Sequence, residues 1–183
     1  MENHDGKGIA VIYASKHGST REIAEGLQRV LSDRGLRAEL CSVEDGVDLS
    51  GFDAVVLGSA VYMGRWLKSA REFAEARGDE LTAKPLWLFS SGPIGSQPEP
   101  KDDPFGLAEL AEKLGAREHR VFAGKIDKSQ LGFAERAVLK AVRAEEGDSR
   151  DWDEIRAWAW SIAEALQQDG MAAEKPAQAV SSG

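Results

Sequence analysis

Ser15, Lys16, His17, Gly18, Ser19 and Thr20 place three hydroxyls, a lysine and a histidine around one glycine. Hydroxyls donate hydrogen bonds to an anion without adding charge, and a glycine lets the backbone come close to it. From Ser19 onward the apolar spacing becomes helical, with Ile23, Ala24, Leu27, Val30 and Leu31 on one face. A helix start collects unpaired N–H groups and the positive end of the helix dipole. The guest this chemistry suits is a phosphomonoester, with Lys16 and His17 assisting electrostatically. The competing reading is a plain capped turn, because Ser and Thr favour helix starts. Hydroxyls on both sides of the glycine favour the phosphate.

Two further loops carry recognisable chemistry. Ser59, Ala60, Val61, Tyr62, Met63 and Gly64, followed by Trp66, pass from small residues to aromatic and sulfur side chains. Ser90, Ser91, Gly92, Pro93 and Ile94 form a small, glycine-containing turn. Together they suit a flat ring, with backbone amides for its polar edge and Tyr62 or Trp66 for its face. Trp66 is equally readable as a core residue at the start of the next helix.

Positioning these loops requires a sheet. Short, nearly continuous apolar runs at 8–14 (GIAVIYA), 52–59 (FDAVVLGS) and 85–90 (PLWLFS) read as strands buried on both faces. The run 37–43 alternates and suits an outer strand, and 119–124 is a fifth, weaker candidate. Helical patterns cover 19–34, 65–76, 105–114, 129–144 and 151–168. Alternating strands and helices predict an α/β, doubly wound, five-stranded parallel sheet of order 2-1-3-4-5 with helices on both faces. Such sheets bind ligands at the carboxyl ends of their strands, where all three loops fall. One domain over 1–169 is expected, with a small, polar, disordered tail over 170–183.

The chain has 183 residues with 31 acidic and 23 basic side chains, a net charge of −8. That balance disfavours nucleic-acid binding. The lone Cys41 cannot form an intrachain disulfide, which points to a cytoplasmic protein whose electrons, if it moves any, travel on a bound cofactor. The three histidines show no metal spacing, and MENHDGKG lacks the apolar core of a signal peptide. The phosphate-loop signature Gly-x4-Gly-Lys-Ser/Thr and the dinucleotide signature Gly-x-Gly-x-x-Gly are both missing. A receiver domain would need acidic residues after the first strand and an Asp ending the third, where this chain has Tyr13-Ala14-Ser15 and Leu57-Gly58-Ser59.

The hydroxyl-rich, aromatic and glycine-containing loops after the first, third and fourth strands resemble the flavodoxin arrangement. The usual phosphate loop there is Thr-x-Thr-Gly-x-Thr, and His17 replaces its middle Thr. YASKHGSTREIA, VVLGSAVYMGRWLKSAREF, FAGKIDKSQLGFAERAVLKAV and DWDEIRAWAWSIAEAL bring the chain nearer to the flavodoxin-like, menaquinone-dependent protoporphyrinogen oxidase family over residues 8–168. The resemblance implies FMN as cofactor. Its phosphate would lie on Ser15 to Thr20, and its ring between residues 60–66 and residues 91–94. It also implies an oxidoreductase that takes reducing equivalents from a porphyrinogen and gives them to a quinone.

A flavodoxin-type electron carrier between protein partners is the alternative, and an interaction module that has lost FMN is a third. Residues 117–143 hold seven Lys/Arg against three acids, in an otherwise acidic chain. The helix at 129–144 is therefore read either as an ordinary surface helix or as a peripheral membrane or quinone-facing contact at the inner face of the membrane.

Overall fold

In β1 (Gly8–Ala14) successive side chains enter two different cores, as the period-2 geometry of a strand requires. Ile9 and Val11 pack with Ile23, Leu27 and Leu31 of α1 (Ser19–Asp33). Ala10, Ile12 and Ala14 enter the opposite core. The structure is a computed structural model and describes residues 8–92, 105–141 and 146–173.

The chain continues through β2 (Arg37–Ser42), β3 (Ala54–Tyr62), β4 (Arg65–Trp66), α2 (Lys68–Ala76), α3 (Gly78–Thr82) and β5 (Leu86–Ser91). It then forms α4 (Leu107–Leu114), β6 (Glu118–Phe122), β7 (Lys125–Ile126), α5 (Phe133–Ala141), β8 (Gly147–Asp148) and α6 (Trp152–Ala173). The parallel ladder runs β2-β1-β3-β5-β6, the expected order once the antiparallel two-residue β4 is set aside. Ile155, Trp158, Ile162 and Leu166 of α6 join α1 over one face of the sheet. Ala70, Ala74, Leu81, Leu107 and Leu114, from α2, α3 and α4, cover the other.

Several boundaries differ from the expectation, each for a local reason. β3 continues to Tyr62 rather than stopping at Ser59, then returns through a two-residue turn to β4, pairing Val61 with Trp66 and Tyr62 with Arg65. Both turn residues, Met63 (φ 49°) and Gly64 (φ 73°), have positive φ, as the tight hairpin turn matching strand twist demands. The helix predicted from residue 65 therefore starts at Lys68. The helix predicted over 129–144 begins only at Phe133, because Leu131 is extended and Gly132 separates α5 from a 3-10 turn at Lys128–Gln130. The last helix runs on to Ala173. The β7–β8 hairpin was not foreseen. Pro93, Ile94 and the rest of the loop expected over 94–104 lie outside the described residues, as does the tail from 174.

The centre of the sheet is set by one close approach. Phe89 of β5 packs in an aromatic cluster with Phe122 and Trp158, whose ring centroids lie 5.5 to 6.2 Å apart. A Cβ on Gly58 of the neighbouring β3 would sit 2.1 Å from the Phe89 ring. Gly58→Ala is therefore expected to cost about 3 kcal/mol of stability by overpacking, read as a lower urea midpoint with an unchanged slope.

Candidate functional site

The site is built where the strands end. Across the ladder Ala14 pairs with Ser59 and Ser59 with Ser90, while Ala60 pairs with Ser91 and Ser91 with Phe122. This register brings the loops that follow β1, β3, β5 and β6 to one edge, where they enclose a cavity of about 420 Å3.

The loop after β1 forms the polar end. Gly18 caps α1 at φ 86°, and its carbonyl accepts the first helical bond, from Glu22 N at 2.9 Å. The preceding amides of the first turn have no acceptor within the helix. Gly18 N donates to Ser15 Oγ at 3.1 Å, and Lys125 N donates to Ser19 Oγ at 3.0 Å. Both hydroxyls thus accept from backbone, and among the described residues neither gives its own proton to an acceptor. Ser15, Lys16, His17, Ser19 and Thr20 line the cavity. Gly18 shapes the loop without lining it.

The end of β3 and its hairpin form the apolar wall through Ala60, Val61, Tyr62, Met63 and Gly64, joined by Leu67. Tyr62 is 41% exposed and Met63 80%. Ser91 and Gly92 close the side belonging to β5. Three residues of the predicted set act behind the wall instead. Trp66 is 3% exposed and donates from Nε1 to Ser90 Oγ at 2.7 Å, so it offers no ring face to the cavity. Ser90 Oγ also shares a 2.9 Å hydrogen bond with His119 Nε2. Ser59 Oγ accepts from Leu67 N at 3.0 Å and fixes the hairpin's return to the sheet.

A further wall, the strap at 124–135, lies outside the expected cofactor residues, though it overlaps the helix read over 129–144 as a surface or quinone-facing element. Gly124, Lys125, Ile126, Asp127, Leu131 and Glu135 all line the cavity. The available cue was topological, since Gly124 follows the last strand at the edge where ligands bind. Arg150, whose side chain is 3% exposed, ties this region to α1. It donates to Glu22 at 2.6 Å and to Asp148 at 2.6 Å. Asp127 caps the 3-10 turn, and its hydrogen bonds from Ser129 hold its carboxyl below the usual range.

Glu135 is the electrostatic centre of the strap. Its Oε1 pairs with Lys16 Nζ and lies 3.1 Å from His17 Nε2, while its Oε2 accepts from Gly132 N at 2.9 Å. The Lys16 hydrogen bond, then that of Gly132, lower its pKa from 4.5 to about 2. The same bond raises that of Lys16.

Residues 10–153 match the family model described as "Flavodoxin domain". The chain belongs to the flavodoxin-domain family. It is also 23% identical over 168 residues to the protoporphyrinogen IX dehydrogenase [quinone] of Escherichia coli K12, an alignment covering 84% of this chain and 93% of that protein. Among solved structures, a flavodoxin from the domain Archaea superposes with TM-score 0.58 at 19% identity, over 88% of this chain and 99% of that one. Flavodoxin 1 from Bacillus cereus gives 0.59 at 18% identity, over 86% and 98%. These structures share the fold.

A flavodoxin domain takes FMN, and the cavity fits that molecule. Its volume lies within the usual range for small ligands. Two unspent hydroxyl protons and the first-turn amides of α1 suit a phosphate at one end, and an apolar hairpin with an exposed tyrosine suits a flat ring at the other.

Because Glu135 binds its proton less readily folded than unfolded, its pairing stabilises the fold above pH 4.5, and that contribution fades as pH falls towards 2. Glu135→Gln is expected to lose about 1 kcal/mol at pH 5 and only a few tenths at pH 2, checked by denaturant unfolding of both proteins across that interval.

Proposed function

We propose that this flavodoxin-domain protein is an FMN-dependent oxidoreductase of the protoporphyrinogen dehydrogenase (quinone) type. The observation that carries the reading is the amphiphilic cavity at the carboxyl edge of the sheet, polar at the start of α1 and apolar at the β3–β4 hairpin. The family membership and the E. coli relative, whose name states both porphyrinogen and quinone, support the same assignment.

FMN, when bound, supplies the redox chemistry by accepting electrons from a reduced substrate and passing them to an acceptor. The chain binds and orients it. Ser15, Ser19 and Thr20, with the first-turn amides of α1, would hold the phosphate, while Lys16 and His17 of the same loop pair with Glu135 of the strap. Ala60, Val61, Met63 and Gly64 present backbone to the ring's polar edge together with Ser91 and Gly92, while Tyr62 offers an aromatic face. Strap and α5 together fit the same reading, since over 124–141 four basic side chains outnumber two acidic ones in an otherwise acidic protein. A cytoplasmic location with peripheral contact through 129–144 would bring the cavity to a membrane-dissolved quinone. Among the described residues no helix is long and apolar enough to cross a membrane.

The second reading is an electron carrier. A net charge of −8 suits docking on a basic redox partner.

The protein is expected to purify with, or take up, one FMN per chain, seen as visible absorption bands that survive desalting. Gly18→Asp is expected to weaken FMN at least about 100-fold, because it sets a carboxylate against the phosphate and an L side chain at φ 86°. A colourless protein that cannot be reconstituted would end both redox readings. Catalytic consumption of a porphyrinogen with a quinone analogue selects the enzyme. Turnover only with a protein at both ends selects the carrier.

A further inference from the structure

The strap is held to the rest of the protein by charge more than by burial. Among the described side chains of α5, only that of Glu135 is turned in from solvent, and Phe133 is 93% exposed. The Glu135 carboxylate reaches the loop after β1 through Lys16 and His17. The same Lys16 ammonium lies 4.2 Å from the centroid of the Tyr62 ring. One lysine thus bridges three walls of the cavity, running from a carboxylate on the strap to an aromatic ring on the β3–β4 hairpin. It lies over the ring on which a flat ligand would stack.

We propose that Glu135 and Lys16 form a latch across the cavity: while they are paired, the strap is closed and Lys16 covers the Tyr62 ring, and a flat ligand enters as the pair parts. The proposal rests on the reading of the cavity as a flavin site. Glu135 is here a gating residue and takes no part in the chemistry. A partly exposed ion pair of this kind biases closed over open by about five-fold. If entry needs the open form, association is slowed by the same factor. Gly132, bonded to the second carboxylate oxygen, carries the motion into the first turn of α5. The bond from Lys125 N to Ser19 Oγ and the Arg150 pairs keep the far end of the strap fixed.

The test is stopped-flow binding of FMN to the flavin-free full chain, followed by quenching of flavin fluorescence, in wild type, Glu135→Gln and Glu135→Asp. The latch requires that Glu135→Gln raise the association rate about five-fold, leave the dissociation rate unchanged and tighten the equilibrium constant by the same factor, because the paired form covers the ring that the ligand occupies. It also requires that Glu135→Asp fall between the two, and that salt near 1 M bring the wild-type rates to those of Glu135→Gln. An unchanged association rate, or a faster dissociation, would overturn it, the latter marking Glu135 as a simple ligand contact. Hydrogen exchange of the α5 amides in flavin-free protein gives a readout without ligand. Faster exchange in Glu135→Gln, confined to the strap and α5, supports the latch, and equal exchange overturns it. If wild type binds no FMN, the cofactor reading fails while the exchange experiment still decides the latch.

Discussion

Everything at the site depends on the register of three parallel strands. Backbone bonds set Ala14 beside Ser59 and Ser59 beside Ser90, so β1 and β5 end within one residue of the same level and β3 runs on past them into the hairpin. A one-residue slip would turn every buried strand side chain to the other face and exchange the contents of the two cores. It would also pull the hydroxyl loop out of line with the hairpin. The register is reinforced by shape. Phe89 needs the absent side chain of Gly58 beside it, and Phe122 and Trp158 hold that ring in place. The packing of the sheet's interior and the placement of a ligand at its edge are therefore one constraint.

Behind the wall, polar groups are spent on holding its shape. Ser59 ties the hairpin's return to β3, and Ser90 links Trp66 to His119. Such buried groups are costly unless paired, and here each pairing fixes an angle between neighbouring segments. The result is a rigid edge on two sides of the cavity. The third side is different in kind. The strap carries a helix whose described side chains, Glu135 apart, face solvent, and its attachments are ion pairs and single hydrogen bonds. A cavity with two rigid walls and one weakly tethered wall can hold its guest in a fixed orientation and still admit it.

The same division bears on function. A sheet of this order, with a helix start at its first loop, serves carriers and enzymes alike, so the fold alone does not choose between them. The strap adds what the sheet alone does not supply. It brings Lys125, Asp127 and Glu135 to the cavity, and α5 adds Arg136 and Lys140 beyond it.

The sequence by itself determined the strand order and the three loops, because both are written in local patterns. Apolar runs in GIAVIYA and FDAVVLGS report strands buried on two faces, and hydroxyls around Gly18 report a helix start able to hold an anion. Exact element ends were less legible. Tyr62 continues a strand because a tight turn through Met63 and Gly64 follows it, and Gly132 delays α5. The role of Trp66 was undecidable from its neighbours, since an aromatic side chain before a helix suits core and ligand equally. Its bond to Ser90 joins positions 24 residues apart. The strap's partners were invisible for the same reason on a larger scale. Lys125 meets Ser19 across 106 residues, His17 meets Glu135 across 118, and Arg150 meets Glu22 across 128. Periodicity and spacing describe what one segment does with its own faces. Which distant charges become partners is decided only when the sheet has brought its edges together.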